Sequence, residues 1–409
     1  MLRSDFEVII IGSDINAYYM ARCTYEAYNK KAFLIGKEPL FATKYSNILN
    51  IIYNDKLHDT NEFINILLLF KDRFKDKKKL LLIPSNDHYV RSIYMHQDIL
   101  SKYYIFHKNS LDTINSFLDK ETFYNRYHQL IDIPKAYFFD INENLDDNKL
   151  DQLSFPIIVK ASDPIEYNQC NFKGHAKVYL FDNRDDLIKL INLVKTTAYS
   201  KKLILQEYIH GNDHKLYDSI FYLGKDGKAK ISSFGQIGLQ EHTPTGVGNL
   251  TVLINGYPKF DNRDHEIKKL KKFIESLDYC GFLEFDLIFD HKDNKYKVLE
   301  INPRQARSSY YISYLGHNLV KYLVDDLIDN IKLDYISLDK MVLLSFVDKF
   351  VINNYIKDQG FVDKANELIN NGACINPLYY KKDRHFLRSL WLFKRKYNYR
   401  KKYKNINWY

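Results

Sequence analysis

The sequence predicts a mixed fold, α/β at its N-terminus and α+β through its middle, ending in a basic helical extension. Three observations carry this. Near the start, Glu7 to Ile11 is an apolar run ending at Gly12, Ala17 to Tyr28 has helical spacing, and Ala32 to Ile35 is a second apolar run ending at Gly36, the order of a βαβ unit. Between residues 281 and 309, GFLEFDLIFDHKDNKYKVLEINPRQARSS reads as a β-hairpin with a polar turn. From Lys381 onward eleven Lys or Arg stand against one acid, Asp383, a net of +10 where the whole chain carries +9, so the basic character belongs to the C-terminal segment.

At 409 residues the chain is long enough for two or three domains with sizeable cores. Cys23, Cys170, Cys280 and Cys374 are far apart and form no C-x-x-C pair, so they read as reduced thiols rather than a disulfide framework or a zinc site. The opening MLRSDFEVIIIGSD has neither a long apolar signal core nor a small-residue cleavage site, and no apolar run approaches the ~20 residues of a membrane span. A cytoplasmic location is expected.

In the first unit, the strand Leu80 to Ile83 runs into PSND and places Ser85, Asn86 and Asp87 at its carboxyl end, where open α/β sheets bind ligands. Gly12 stands without the rest of G-x-G-x-x-G, which argues against NAD. Further on, Lys120 lies in the helical segment SFLDKETFYNRYHQL, where it also reads as an ordinary solvated lysine. Lys160 ends the apolar strand Phe155 to Val159, a position at which an unpartnered charge is costly. LILQEYIHGND is a strand entering a polar hinge.

The hairpin at 281 to 309 holds the strongest chemical signal. With Phe282 to Phe289 and Tyr296 to Ile301 as antiparallel strands and a turn centred on Asp293, Asp286 faces Glu300 and Glu284 faces Asn302. Strand residues two apart point the same way, so all four side chains project from one face. Facing acids repel, and the arrangement makes sense chiefly around a hard divalent cation, Mg2+ or Mn2+, shared with phosphates. Arg304 and Arg307 follow directly, planar forks suited to phosphate or carboxylate oxygens. The plain alternative is a surface hairpin whose charges are solvated.

The sequence LEINPR, with Asp286 on the preceding strand, resembles the metal-binding hairpin of the ATP-grasp superfamily, and the three segments around Lys120, Lys160 and the hinge match that superfamily in the order it requires. The resemblance implies an N-terminal α/β (pre-ATP-grasp) domain at 1–112 and a two-lobed ATP-grasp domain at 113–330, its nucleotide lobe at about 155–212 and its metal-binding, catalytic lobe at about 213–330. A C-terminal extension with the basic tail fills 331–409. It implies ATP as a substrate with Mg2+ or Mn2+ held by Asp286, Glu300 and Asn302, and Lys120, Lys160 and Arg304 on the phosphates. Gln206 or Glu207 with Ile209 would meet the adenine edge, Tyr208 would cover the ring and Asp213 would hold the ribose. Gly12, Ser13, Asp14 and Asp87 become candidates for the second substrate, or equally the turns and helix caps of their unit. One departure concerns the glycine-rich flap of many relatives. Here ASDPIEYNQCNFKGHAKVY has a single glycine, Gly174, with Asn168, Asn171, Lys173 and Lys177 as candidate phosphate donors.

Over nearly its full length, including GSDINAYYMAR, GFLEFD and INPRQARSS, the chain resembles the carboxylate-amine ligases, a subgroup that includes the D-aspartate ligases of cell-wall synthesis. The implied reaction joins a small carboxylate to an amine through an acylphosphate, with Arg307 gripping the carboxylate or the acylphosphate. The specific expectation is D-aspartate, joined through its side-chain carboxylate to the lysine of a UDP-linked peptidoglycan precursor. An amino-acid or peptide ligase making a small metabolite, and a non-catalytic nucleotide-binding protein at the membrane surface, stand as alternatives. A homodimer is common in the superfamily, and no nucleic-acid partner is expected.

Two further segments complete the reading. In SFGQIGLQEHTPTGVGNLTVL, residues 233 to 253, Glu241, His242, Thr243, Gly246, Gly248 and Asn249 are candidates for the border of the acceptor pocket, although His242 reads more readily as a surface-loop residue. A closing helix is expected with apolar spacing from Ile312 to Leu327. In the tail, Phe386, Trp391, Phe393, Tyr397, Tyr399 and Tyr403 alternate with basic residues. This suits peripheral contact with an anionic leaflet or a phosphorylated substrate. Otherwise it is a helix that packs Leu387, Leu390 and Trp391 on the body.

Overall fold

The structure is a computed structural model that describes residues 3–404 apart from 75–77, 168, 212, 242–245, 247 and 259–260. Three β-sheets organise the chain. The first is parallel, with strands β1 (Phe6–Ile11), β2 (Ala32–Gly36), β3 (Leu49–Tyr53) and β4 (Lys79–Pro84) in the order β3-β2-β1-β4. Every residue of β1 is buried, which explains the apolar run Val8 to Ile11, while the buried Glu7 is paired with Lys30 and Lys78. Helix α1 (Ile15–Tyr28) starts two residues earlier than its apolar spacing suggests, because Asp14 caps it by accepting from the Ala17 amide at 3.0 Å. Helix α2 (Asp87–Met95) is capped in the same way by Asn86 and leaves the end of β4 with Asp87 in its first turn. At Gly12, φ is +115° and an added Cβ would fall 2.0 Å from Ser85 Oγ, so this position requires glycine for the turn.

The segment around Lys120 is two short helices rather than one. Asp119 ends the helix Leu111–Leu118 and caps α3 (Lys120–Tyr127), which puts Lys120 in the first turn of α3. Next comes a small antiparallel sheet of β5 (Ala136–Asp140), β6 (Ile157–Ala161), β7 (Val178–Phe181) and β8 (Lys202–Glu207), in the order β5-β8-β6-β7. Helix α4 (Arg184–Lys195) lays Leu187, Leu190, Ile191 and Val194 on this sheet in the i, i+3, i+4, i+7 pattern, forming a core with Val159, Leu203 and Leu205.

The third sheet contains β9 (Leu216–Leu223), β10 (Ala229–Gln240), β11 (Leu250–Asn255), β12 (Gly281–Asp290), β13 (Lys295–Asn302), β14 (Ile336–Leu338), β15 (Val342–Ser345) and β16 (Cys374–Ile375), in the order β13-β12-β9-β10-β11-β15-β16 with β14 beside β10. One face packs Ile220, Tyr222, Ile231 and Leu253 in a core shared with Tyr18, Tyr19 and Met20 of α1. The other packs Phe221, Phe285 and Leu287 against Leu270, Phe273 and Ile274 of the helix Asp261–Glu275. Burial on both faces keeps this sheet rigid where it carries the site.

Three expectations are corrected. The closing helix from Ile312 to Leu327 is two helices, Tyr310–Tyr314 and Leu319–Leu327, because Gly316 turns the chain at φ +100° and Asn318 caps the second helix. The C-terminal extension is not purely helical, since β14, β15 and β16 join the large sheet. The basic helix α5 (Phe386–Lys404) packs through Arg388, Leu392, Tyr399 and Tyr403, while Leu387 and Leu390 are exposed and Trp391 is half-buried.

Arg388 explains why a charged face can be the packed one. Its guanidinium donates to Ala42 O at 2.5 Å and Leu378 O at 3.1 Å, lies 3.8 Å from the Tyr18 ring centroid and sits 3.3 Å from Asp383. Asp383 in turn accepts from Tyr18 Oη, Ser46 Oγ and the Asn47 amide. Truncating one partner of such a buried pair leaves an uncompensated charge, so Arg388→Ala is expected to destabilise the protein by about 3–5 kcal/mol. A fall in the urea midpoint of matching size checks this, and an unchanged midpoint contradicts it.

Candidate functional site

The small antiparallel sheet and the large sheet face each other across a cleft. Its inner part is a cavity of about 310 Å³ lined from one side by Ile158, Lys160, Val178 and the hinge from Gln206 to Ile209, and from the other by Leu216, Tyr217, Leu287, Ile288 and Leu299. A second cavity of about 420 Å³ adjoins it, bounded by Asp14, Asn16, Asn86, Asn249, Asn302, Arg304 and Arg307. Asp286, Glu300, Lys177, Ile237 and Gly248 line both, so the carboxylate pair stands at the junction. Apolar walls with few polar groups fit a planar ring in the first cavity, and the polar second cavity fits a small charged molecule.

Of the residues singled out in the sequence, Lys120, Lys160, Gln206, Glu207, Tyr208, Ile209 and Asp213 line the first cavity, Asn302, Arg304 and Arg307 the second, and Asp286 and Glu300 both. Asp14, Gly248 and Asn249 also reach the second cavity. Gly12 and Ser13 line neither cavity, and the Ser13 hydroxyl donates to Glu38 O. Of the described candidate phosphate donors in the flap, Asn171, Lys173 and Lys177, only Lys177 lines the cavities, while Asn168, His242 and Thr243 lie outside the described residues.

The hairpin pairs Asp286 with Glu300 and Glu284 with Asn302. A bulge follows, because the register shifts by one between Asp286 and Leu287, so that Leu287 faces Val298 and Asp290 faces Lys295. The turn is therefore centred between Lys292 and Asp293, half a residue before the expected position, and the bulge at Leu299 restores the register at the functional end. Asn302 Nδ2 lies 3.3 Å from Asp286 Oδ2, and Lys120 Nζ lies 2.8 Å from Glu300 Oε2. Lys120 holds Glu300 well below the usual carboxylate range, whereas burial and the negative charges of Glu284 and Glu300 push Asp286 well above it. Among the described residues no three His, Cys, Asp or Glu side chains converge as a metal cluster. The donor set here is two carboxylates and an amide, a partial oxygen shell of the kind that magnesium completes with phosphates and water, and a divalent cation would relieve the repulsion on Asp286. The residues fit the ion.

Lys160 Nζ donates to Gln206 Oε1 at 2.9 Å, and Tyr124 Oη donates to the same oxygen at 3.3 Å. Burial, then the charge of Lys120, pulls Lys160 from 10.5 to about 7. Above pH 7 the free protein therefore holds Lys160 largely neutral, while bound phosphate favours its charged form. Nucleotide binding near pH 8 is expected to take up close to one proton through this group, and affinity to fall as pH rises above 7. Calorimetric titration with ATP in buffers of different ionisation enthalpy measures the uptake. Persistence of the full uptake in Lys160→Met contradicts the assignment.

Arg304 is fixed by partners that the motif does not reveal. Its Nε and Nη2 donate to the two carboxylate oxygens of Asp87 at 2.7 and 3.2 Å, Nη2 also donates to Asn302 Oδ1 at 3.1 Å, and Nη1 lies 3.5 Å from Glu284. Arg307 Nη2 donates to Glu241 Oε1 at 3.1 Å, and its buried Nε has no hydrogen-bond partner among the described residues. Tyr399 Oη donates to the same Glu241 oxygen at 2.5 Å and Tyr403 Oη to Gln240 O, so α5 buttresses the end of β10. Two other contributors were missed in the sequence. Lys297 Nζ lies 3.0 Å from Glu207 Oε1 and pins the hinge, and Asp218, wholly buried on β9 opposite Asp286, accepts from Ser308 Oγ at 2.6 Å. An acid on an otherwise apolar strand, as at Asp218, was the available signal.

No family model matches the chain. It is 29% identical over 399 residues to the D-aspartate ligase of Enterococcus faecium (strain Aus0004), covering 95% of this chain and 93% of that one. Among solved structures it is similar to N5-carboxyaminoimidazole synthetase from Staphylococcus aureus, with a TM-score of 0.59 and 15% identity over 91% of this chain and 88% of the other. It is also similar to L-amino acid ligase from Bacillus licheniformis, with a TM-score of 0.57 and 15% identity over 80% of this chain and 75% of the other. The structural likenesses show the fold. The chain thus has an ATP-grasp fold, with its cleft between the small and the large sheet.

Proposed function

We propose that the protein is a D-aspartate ligase that joins the side-chain carboxylate of D-aspartate to the lysine amine of a UDP-linked peptidoglycan precursor. The observation that carries this reading is the pair of adjoining cavities that meet at Asp286 and Glu300, the second walled by Arg304 and Arg307. The relative named D-aspartate ligase, matched over 95% of the chain, supports the choice of acid.

On this reading ATP occupies the first cavity. The hinge at Gln206, Glu207 and Ile209 meets the adenine edge, Tyr208 covers the ring and Asp213 holds the ribose. Lys120 and Lys160 take the phosphates. Asp286, Glu300 and Asn302 would hold Mg2+ or Mn2+, which would supply charge neutralisation at the phosphate oxygens. Arg307 grips an oxygen of the acid in the second cavity. A carboxylate oxygen attacks the γ-phosphorus, ADP leaves, and an acylphosphate remains. The amine then attacks the acyl carbon, phosphate leaves with the oxygen that bridged it, and the amine gives up a proton to form the amide. Arg304, immobilised by Asp87, stabilises the charge that gathers on the transferring phosphoryl group without having to reorganise. No protein nucleophile is needed.

The test is phosphate release from ATP and magnesium with D-aspartate and a UDP-muramyl pentapeptide, each component omitted in turn and the product weighed. Release that needs both substrates, with a product heavier by one aspartyl residue, is the expected result. Release with other acids and amines only would overturn the substrate and leave the ligase chemistry in place.

A further inference from the structure

The inner face of α5 is spent on the fold and on Glu241, yet its outer face is a continuous apolar stripe in water. Phe386, Leu390, Phe393 and Tyr397 follow the i, i+4, i+7, i+11 spacing of one helix face, and they are 79, 54, 59 and 53% exposed. Four large apolar side chains in one line on a solvated helix mark a contact surface. Basic residues flank the stripe, with Lys394 and Lys401 on one side and Lys396 and Arg400 on the other. The stripe also has an aromatic neighbour from another element. The Arg400 guanidinium at its edge lies 4.9 Å from the ring centroid of Phe350, itself 47% exposed.

We propose that this outer face of α5 docks the protein on the surface of an anionic lipid bilayer. An apolar centre with cationic flanks matches the layering of such an interface, where rings and leucines enter the acyl boundary while lysines meet the headgroup phosphates. A second copy of the chain is a poorer occupant, because pairing this face with itself would bring the flanking lysines of both copies together. A nucleic acid would satisfy the lysines and leave Phe386 and Leu390 in water. The inference concerns the outer face of α5, whose residues line neither cavity, and does not depend on which acid or amine they take.

The experiment is co-sedimentation of the full chain with phosphatidylcholine vesicles, with and without about one third phosphatidylglycerol. Binding about tenfold stronger to the anionic vesicles is expected, weakening with added salt and falling by about tenfold in both Leu390→Glu/Phe393→Glu and Lys394→Glu/Lys401→Glu. ATP turnover by the two variants, expected at the parent level, confirms that they fold. Equal partition to both vesicle types, or undiminished binding by the variants, overturns the proposal. A dimer in light scattering that the first variant dissociates also overturns it and assigns the face to a second copy.

Discussion

Replacing Glu300 by Gln is expected to lower kcat for ATP-dependent ligation by about 10²–10³-fold with little change in fold. Glu300 lines both cavities, faces Asp286 across the hairpin and holds Lys120 at 2.8 Å. The amide keeps the shape and removes the negative charge, so a cation held between residues 286 and 300 loses an ionic ligand and Lys120 loses its counter-charge. Both losses fall on the transferring phosphoryl group, which is why the effect belongs in kcat. Stability should change little, because the exchange also relieves the repulsion that raises Asp286. Steady-state ADP production over a range of magnesium concentrations checks this, with part of the loss recovered at high magnesium. Turnover at the parent rate would remove Glu300 from the metal site.

The second large effect is expected from Arg304→Lys. Charge is retained, but the planar fork that donates to both oxygens of Asp87 and to Asn302 is lost. A lysine reaches one of these partners at a time and leaves the buried Glu284 without its nearby guanidinium. A fall in kcat/KM of about 10²-fold is expected, corresponding to about 2.7 kcal/mol of transition-state stabilisation. Asp87→Asn, which keeps one acceptor, should show a smaller loss in the same parameter. Equal and slight effects from both variants would make the Arg304–Asp87 contact structural only.

The site was legible in the sequence where its partners are close along the chain. The two-residue period of the hairpin was enough to set Asp286 opposite Glu300, although the bulge that separates that pair from Leu287 and Val298 left no sequence mark. Contacts between distant segments were hidden. Arg304 follows its motif, but its partner Asp87 is 217 residues away at the end of another sheet. The closing helix broke at Gly316 and Asn318, where a turn residue and a cap outweighed apolar spacing. The C-terminal helix was the clearest failure of hydrophobicity as a guide. Leu387 and Leu390 looked like its packing face, yet Arg388, Tyr399 and Tyr403 are buried because Ala42, Leu378, Glu241 and Gln240 offer them acceptors. Burial of a polar side chain follows its partners, and those partners belong to the assembled fold.

The central claim, that a carboxylate is activated as an acylphosphate where the two cavities meet, is tested most directly with an acid substrate labelled with oxygen-18 in the reacting carboxylate. The account predicts ADP as the nucleotide product and one labelled oxygen in each molecule of released phosphate. Label appearing in AMP, or phosphate carrying none, would contradict it.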